Sequence, residues 1–191
     1  MTDEIQSGLS RCDDLTAGNV LFKKLKPDVL ILGKALSGGM IPMSCILANN
    51  EHMSVFNPGS HGSTFGGNPL PCAISIEALN IIQDECIPNV KNQERFIKDF
   101  FVSSFTNVKS IRGVGMFWGI QFDEKYNIED LRFRLINKGY ITFTSRNNTL
   151  RLTPPLTIQQ NILEKSLETI TPTKKKNETN KNLFIYSITM F

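Results

Sequence analysis

Residues 27–39 read PDVLILGKALSGG and carry the clearest structural pattern of this 191-residue chain. The apolar run Val29–Leu32 stands between Pro27 and Gly33, which is typical of a strand buried on both faces, as in parallel sheets. Lys34 follows and opens a glycine-containing turn. Because α/β proteins bind ligands at the carboxyl ends of such strands, we expect Lys34 to lie at a binding site.

A lysine in this position has two interpretations. Desolvation favours the neutral amine of a lysine, and a neutral amine is the nucleophile that Schiff-base chemistry requires. A lone lysine after a strand is, however, more often a solvated loop residue. The strand by itself does not decide between these two interpretations of Lys34, but the neighbouring segments favour a nucleophilic lysine.

Two further segments carry groups that suit one kind of cofactor. Asp3 lies 31 residues before Lys34, and a carboxylate beside a pyridinium nitrogen keeps that nitrogen protonated, which preserves the electron sink of pyridoxal phosphate. Residues 61–69 read HGSTFGGNP, where a hydroxyl among glycines offers O–H and N–H donors to phosphate oxygens. Taken singly, the first is also compatible with an acidic surface loop and the second with a generic turn; His61 is read as structural.

The rest of the chain predicts a mixed architecture. Apolar runs and spacing predict strands at 43–48, 110–122, 140–144 and 149–153, and helices at 72–82, 87–105, 128–138 and 159–170. Gly139 is the expected stop of the third helix, and the phenylalanines at 96, 100, 101 and 105 are the expected core stripe of the second. We therefore expect residues 1–70 to form part of an α/β sheet and 85–170 to form a small α+β unit.

Composition and charge exclude several function classes. Hydrophobic residues make up 40% and charged residues 20% of the chain, which indicates a globular protein. The net charge of +3 equals that of residues 171–191, so the preceding body is neutral and no nucleic-acid surface is expected. The basic tail is expected to be disordered. We see no membrane span, leader or metal-ligand spacing, and the four cysteines fit reduced thiols in the cytoplasm or a mitochondrial matrix.

The motifs together resemble the class III, fold type I pyridoxal-phosphate-dependent aminotransferases, and most of all their ornithine-type members. The resemblance runs from about residue 2 to residue 170. It is carried by DEIQSGL at 3–9, KPD at 26–28, LGKALSGG at 32–39, PGSHGSTFGGNPL at 58–70, IRGVGM at 111–116 and LRLTPPL at 150–156. One departure is Cys12-Asp13-Asp14, where the family usually has Thr-Gly after the arginine.

The resemblance implies a role for five residues. Lys34 matches the lysine that bonds to pyridoxal 5′-phosphate and then shuttles a substrate proton. Asp3 matches the partner of the pyridine nitrogen, and Gln6 the glutamine near the phenolic oxygen. Thr64 matches the threonine that reaches the cofactor phosphate across a dimer interface. Arg151 matches the arginine that binds a substrate carboxylate, a task for which the guanidinium fork is suited.

The resemblance also implies a domain plan and a reaction. Residues 1–84 would be the C-terminal part of the large cofactor-binding domain of an α/β fold type I transferase, 85–170 the small α+β domain, and 171–191 a tail foreign to the family. The implied reaction moves the δ-amino group of ornithine to 2-oxoglutarate, giving glutamate semialdehyde and glutamate, in a homodimer. Other ω-amino-acid or acetylornithine aminotransferases, a non-catalytic relic and a half that needs a separate N-terminal polypeptide remain alternatives. We expect little transaminase activity from the chain alone, because the family's other cofactor-contacting segments precede the Asp3 motif.

Overall fold

The computed structural model describes residues 1–23, 26–105 and 108–171, together with the backbone of 186 and 187. The chain divides into two compact units, Met1–Pro88 and Asn89–Met190, which we call unit 1 and unit 2. Each is described by itself below. The expected disordered tail at 171–191 lies, but for Thr171 and the backbone of 186 and 187, outside the described residues.

Unit 1 contains a three-stranded sheet in the order β1-β2-β3. The strands are β1 (Thr2–Asp3), β2 (Val29–Leu32) and β3 (Cys45–Ala48). β1 and β2 are parallel, whereas β3 runs antiparallel to β2. The strands predicted around 27–33 and 43–48 are therefore both present, in one sheet.

The sheet of unit 1 is less buried than the apolar runs predict. Among the residues of β2, only Leu32 is buried, and the other three side chains are half-buried. On the edge strand β3, Ile46 and Leu47 are 52% and 53% exposed. The expectation of a strand buried on both faces is thus wrong for β2, because the described residues of unit 1 do not cover the sheet completely.

The longest helix of unit 1 supports the turn that carries Lys34. The helices are α1 (Ala17–Leu21), the 3-10 turn Lys34–Ser37, α2 (Asn50–Met53), α3 (Pro69–Ile81) and a π-helical turn, Ile82–Cys86. α3 begins at a capped end, where Asn68 Oδ1 accepts a hydrogen bond from the Leu70 N–H at 3.0 Å. It packs against the 3-10 turn, so a Cβ at Gly38 would lie 3.5 Å from Ala78 Cβ.

Unit 2 combines an antiparallel sheet with three helices in its described part. The helices are α4 (Ile87–Ser104, which begins two residues before the unit), α5 (Ile128–Asn137) and α6 (Gln160–Ile170). The strands are β4 (Ser110–Val114), β5 (Phe117–Gln121), β6 (Tyr140–Ile141), β7 (Phe143–Ser145) and β8 (Thr149–Leu152). The sheet order is β4-β5-β8-β7, and β6 pairs separately with the short strand β9 (Tyr186–Ser187).

Period-two alternation gives the sheet of unit 2 an apolar face and a polar face. Trp118, Ile120, Leu150 and Leu152 alternate along β5 and β8 and are all 7% exposed or less, as expected for a sheet with one buried face. The two-residue turn between β4 and β5 begins with Gly115 at φ 58°, which suits a tight hairpin. Of the phenylalanine stripe in and beyond α4, only Phe101 is buried and the others are half-buried.

Two predicted strands of unit 2 are interrupted, and a turn at Gly115 and Met116 divides the one predicted at 110–122 into β4 and β5. The sequence predicts a single strand at 140–144, but β6 and β7 are separated at Thr142. The buried Thr142 hydroxyl donates a hydrogen bond to the Arg151 carbonyl at 2.6 Å. Gly139 adopts φ 87° just after α5, so the predicted helix stop is present.

All four cysteines, Cys12, Cys45, Cys72 and Cys86, are free thiols. Burial raises the pKa of Cys45 and of Cys86 above the ordinary value for a thiol. Within the described helices, we find no segment that is both long and apolar enough to cross a membrane.

Candidate active site

Asp3 and Lys34 follow neighbouring parallel strands to the same edge of the sheet. Asp3 pairs with Ile31 as the last residue of β1, and Lys34 comes two residues after the end of β2. The carboxyl ends of parallel strands at a sheet edge are where open α/β sheets bind ligands. The structure therefore places the two residues on which the cofactor prediction depends most at the carboxyl ends of neighbouring strands.

The Asp3 side chain is exposed but oriented. Its Oδ1 accepts a hydrogen bond from the Ile5 N–H at 3.0 Å, the local side-chain-to-backbone bond that aspartate makes in turns. Gln6 lies three residues further on and is also exposed. Both side chains are thus accessible on the turn that follows β1.

Lys34 is held by a constrained backbone. It adopts φ 49° as the first residue of the 3-10 turn, a left-handed conformation that is uncommon for residues other than glycine and recurs at functional sites. The turn continues into Gly38 and Gly39, at φ 63° and 81°. It is closed by the buried Ser37, whose hydroxyl oxygen accepts a hydrogen bond from the Ile41 N–H at 3.3 Å.

The side chain of Lys34 is exposed. The sequence analysis expects a desolvated lysine at the end of a buried strand. That expectation is wrong for the described residues, because the sheet of unit 1 is only partly covered and leaves the amine in solvent.

Glu4 is the buried acid that the sequence analysis does not identify. Its side chain is 3% exposed. Its Oε2 accepts a hydrogen bond from the Ala17 N–H at 2.6 Å, and its Oε1 accepts one from the Gly18 N–H at 2.9 Å. An acid beside Asp3 carries no spacing that indicates burial, and the close packing appears only in the structure, where a Cβ at Gly8 would lie 2.9 Å from the Glu4 carbonyl oxygen.

The turn after β1 also buries a cation. Arg11 is 9% exposed, and burial lowers the pKa of its guanidinium to about 10. The nearby thiols of Cys12 and Cys86 act in the opposite direction. Arg11 therefore remains charged at neutral pH inside the loop that joins Glu4 to α1.

Thr64 lies in the exposed loop between α2 and α3. Every residue from 54 to 68 is exposed, and His61 contacts the ring of Phe56 with the ring centroids 5.2 Å apart. Among the described residues, no hydrogen bond joins the Thr64 side chain to the turn that carries Lys34. The structure thus places Thr64 in unit 1, on an exposed loop.

Arg151 belongs to unit 2 and lies on the polar face of its sheet. It is opposite Gly119 on β5 and Phe143 on β7. The guanidinium carbon lies 5.8 Å from the centroid of the Phe117 ring, close enough for a cation–π contact. The half-buried side chain is a candidate for a carboxylate ligand, because a guanidinium binds carboxylates in a bidentate manner.

A second arginine occupies the same row of the sheet. Arg112 is also opposite Gly119, from β4. Its guanidinium donates hydrogen bonds to Gln121 Oε1 at 3.2 Å and to Thr149 Oγ1 at 3.4 Å. These partners engage Arg112, whereas the described contact of the Arg151 guanidinium is with a ring.

Comparison with known proteins identifies a matching family and several similar proteins. The sequence pattern described as "Aminotransferase class-III" matches residues 1–173. An ornithine aminotransferase of Oceanobacillus iheyensis is 37% identical over 172 residues, which are 89% of this chain and 42% of that protein. The solved ornithine aminotransferase of Toxoplasma gondii is 33% identical with a TM-score of 0.82, covering 88% of this chain and 41% of that one.

A solved acetylornithine aminotransferase is also similar. The enzyme of Elizabethkingia anophelis is 37% identical with a TM-score of 0.75, over 87% of this chain and 45% of that one. The chain thus spans less than half the length of each of these relatives.

Proposed function

Because this chain belongs to the class-III aminotransferase family, whose members are pyridoxal-phosphate-dependent transferases, we propose that it provides the lysine-bearing part of an ornithine aminotransferase. The proposed reaction transfers the δ-amino group of ornithine to 2-oxoglutarate and yields glutamate semialdehyde and glutamate. The 37% identity to the ornithine aminotransferase of Oceanobacillus iheyensis supports this choice of substrate.

The observation that carries the proposal is the placement of Asp3 and Lys34 at adjacent carboxyl ends of parallel strands. Their chemistry fits the cofactor: a primary amine can bond to its aldehyde carbon, and a carboxylate can partner its ring nitrogen. Pyridoxal phosphate, when bound, supplies an electron sink for the substrate carbon that loses a proton. The two side chains that fit the cofactor, Asp3 and Lys34, are both exposed at the carboxyl ends of their strands.

Under this proposal, each of the five candidate residues has a defined role. Lys34 would hold the cofactor through its Nζ and, once that amine is free again, would move a substrate proton at the same atom, whereas Asp3 would keep a proton on the ring nitrogen through a carboxylate that Ile5 orients. Gln6 contacts the phenolic oxygen. Thr64 would bind the phosphate of the cofactor held by the partner protomer, which is in keeping with its position on an exposed loop. Arg151 binds a substrate carboxylate.

The same proposal assigns the domains and the setting of the enzyme. Residues 1–84 are the C-terminal part of the large cofactor-binding domain, 85–170 the small domain, and 171–191 an added tail. The active form is a homodimer whose substrates are a small amino acid and a 2-oxo acid. The free thiols support a reducing compartment, either the cytoplasm or a mitochondrial matrix.

A second candidate is N-acetylornithine transamination, which the similarity to the Elizabethkingia anophelis enzyme favours. A third candidate is an enzyme assembled from two polypeptides, because the chain matches only 42% of the Oceanobacillus iheyensis enzyme. The complete site is then assembled with a polypeptide that corresponds to the unmatched part of that relative. Both candidates use the same Lys34.

The test is covalent trapping of the cofactor. The chain is incubated with pyridoxal phosphate, reduced with borohydride, digested and analysed by mass spectrometry. We expect the cofactor label on the peptide that contains Lys34, its loss in Lys34→Ala, and its retention in Lys26→Ala, which removes an exposed lysine of the same unit. Equal labelling of other exposed lysines, or no label on Lys34 even when the polypeptide that corresponds to the unmatched part of the relative is added, would overturn the assignment of Lys34.

Turnover then separates the substrates. Release of glutamate from 2-oxoglutarate is measured with ornithine or N-acetylornithine as donor, with the chain alone and with the unmatched polypeptide of the relative added. Turnover of ornithine supports the primary proposal, and preference for N-acetylornithine supports the second candidate. Activity only in the mixture identifies the partner-dependent form.

A further inference from the structure

We propose that Glu4 is a positioning residue for the candidate active site, which fixes the turn that carries Asp3 and Gln6. The inference rests on the proposed function for its meaning, but its structural content is independent of any cofactor. Glu4 directly follows Asp3, and it is one of the most buried charged residues of unit 1.

Three parts of unit 1 meet at Glu4. Its N–H donates to the Ile31 carbonyl of β2 at 2.9 Å, and its own carbonyl accepts from the Gly8 N–H at 3.0 Å. Its carboxylate accepts from two N–H groups at the start of α1. One residue thus joins the sheet, the turn and the helix that follows the turn.

The carboxylate takes the place of a local helix cap. Thr16 precedes α1 but makes no capping hydrogen bond with its side chain. The N–H groups of Ala17 and Gly18 are the first of the helix and have no partner within it. They are satisfied instead by Glu4, from 13 and 14 residues away, and charge-assisted bonds of this kind are stronger than neutral ones.

The surroundings leave little freedom for this carboxylate. A Cβ at Gly18 would lie 3.2 Å from Glu4 Oε1, and a Cβ at Gly8 would lie 3.0 Å from Glu4 Oε2. Both glycines therefore allow the backbone to approach the acid closely. The carboxylate fits a space that closes around it from two sides.

The constraint reaches Asp3 through Ile5. The Ile5 N–H that orients the Asp3 carboxylate belongs to the residue after Glu4. With Glu4 attached to α1 and to Ile31, the peptide between Glu4 and Ile5 has a fixed direction, and so has its N–H. Releasing the Glu4 side chain should therefore loosen the Asp3 carboxylate without altering its charge.

The test compares Glu4→Gln with Glu77→Gln, which changes an exposed glutamate on α3. Glutamine keeps one acceptor oxygen, so one of the two N–H groups of α1 loses its partner. In the chain without cofactor, we expect amide hydrogen exchange at Ile5 to speed up about tenfold in Glu4→Gln, as for a lost hydrogen bond of ordinary strength, and not in Glu77→Gln. Exchange of the β2 amides should remain slow.

A second variant covers the case in which Glu4→Gln unfolds. Gly18→Ala adds a methyl group against Oε1 while favouring the helical conformation of α1, so faster exchange at Ile5 in this variant could not come from a weaker helix. Faster exchange at Ile5 in either folded variant supports the proposal. Faster exchange at Ala17 and Gly18 with Ile5 unchanged overturns it, because Glu4 would then cap α1 only.

A spectroscopic readout ties the result to the site. The chain is titrated with pyridoxal phosphate, and the pH midpoint of the visible absorbance is compared between the wild-type chain, Glu4→Gln and Glu77→Gln. We expect a displaced midpoint in Glu4→Gln alone, and an unchanged midpoint counts against positioning of Asp3. If the wild-type chain binds no cofactor, the proposed function fails while exchange at Ile5 still decides the role of Glu4.

Discussion

Unit 2 covers more of its large apolar side chains than unit 1 does, although Val102 and Phe133 remain 88% and 56% exposed. On β5 and β8 of unit 2, Ile120 and Leu150 are fully buried. On β3 and α3 of unit 1, Leu47 and Ile76 are 53% and 64% exposed. The two units are similar in length but differ in how much of their apolar surface is removed from water.

This difference in burial separates the expected source of stability from four of the five candidate site residues. Burial of apolar area is the main favourable contribution to folding, so unit 2 should supply most of the stability of the chain. Asp3, Gln6, Lys34 and Thr64 lie in unit 1, and residues that bind ligands commonly lie in the less stable regions of a protein. The chain also corresponds to less than half of its relatives' length.

The chain provides a separate reporter for each unit. Its single tryptophan, Trp118, lies in unit 2, and all four of its cysteines lie in unit 1. Fluorescence of Trp118 therefore follows unfolding of unit 2. Labelling of the buried thiols of Cys12 and Cys86 follows opening of unit 1.

The largest effect is expected from truncating a core leucine. Leu163 on α6 is fully buried, so Leu163→Ala should lower the free energy of unfolding of unit 2 by about 2–5 kcal/mol. The matched variant Ile76→Ala removes an exposed side chain, and it should change the opening of unit 1 by no more than about 0.5 kcal/mol. Urea unfolding followed by Trp118 fluorescence and by thiol labelling measures both. Similar losses from the two variants would contradict the difference in burial.

A smaller effect is expected from adding one methyl group. A Cβ at Gly113 would lie 2.4 Å from the Phe117 carbonyl oxygen and 2.7 Å from Trp118 Cα, so the backbone of the β4–β5 hairpin has to move. Gly113→Ala should destabilise unit 2 by about 1–3 kcal/mol. At Gly62 in unit 1 a Cβ would meet nothing within 4 Å, so Gly62→Ala serves as the control. The contrast fails if Trp118 fluorescence shows unchanged unfolding in Gly113→Ala.

The smallest effect is a pH dependence confined to unit 2. The Thr144 hydroxyl, at 2.5 Å, and then the Arg132 guanidinium, at 2.7 Å, donate to Glu129 and lower the pKa of its carboxyl. Since the folded pKa lies below the unfolded one, this contribution is present above the unfolded pKa and disappears as pH falls through the folded value. Glu129→Gln should therefore make the acid limb of the Trp118 transition shallower. Thiol labelling of unit 1 should not change, and an unchanged acid limb would show that solvent screens these bonds completely.

The sequence predicts the elements better than it predicts their surroundings. Apolar period and punctuation locate β2, α3 and α5, because each pattern is local, but they do not reveal the turn that divides residues 110–122 into β4 and β5. The direction of β3 and the exposure of Ile46 do not follow from a local pattern, since they depend on which elements pack against the sheet. The break at Thr142 depends on a hydrogen bond to Arg151 on another strand, which no periodicity reveals.

The candidate site divides in the same way. Lys34 is recognisable because it stands where a predicted strand ends, whereas Asp3 is identified by its chemistry and by the resemblance to the family; the parallel pairing of β1 and β2 then places both at the carboxyl ends of neighbouring strands. Glu4 is not recognisable, because an acid beside Asp3 has no period or spacing that indicates burial. Its partners, Ala17 and Gly18, become apparent only when the intervening loop is folded.

Ile5 contacts both the Asp3 carboxylate and the residue that precedes Lys34. Its main-chain N–H holds the Asp3 carboxylate, and its side chain lies beside Gly33, where a Cβ would be 3.4 Å from Ile5 Cγ2. Ile5 thus lies against Gly33, the residue directly before Lys34. The turn after β1 and the turn that carries Lys34 therefore meet through an aliphatic side chain that has no reactive group, so a change of size at Ile5 would act on both turns without altering any charge.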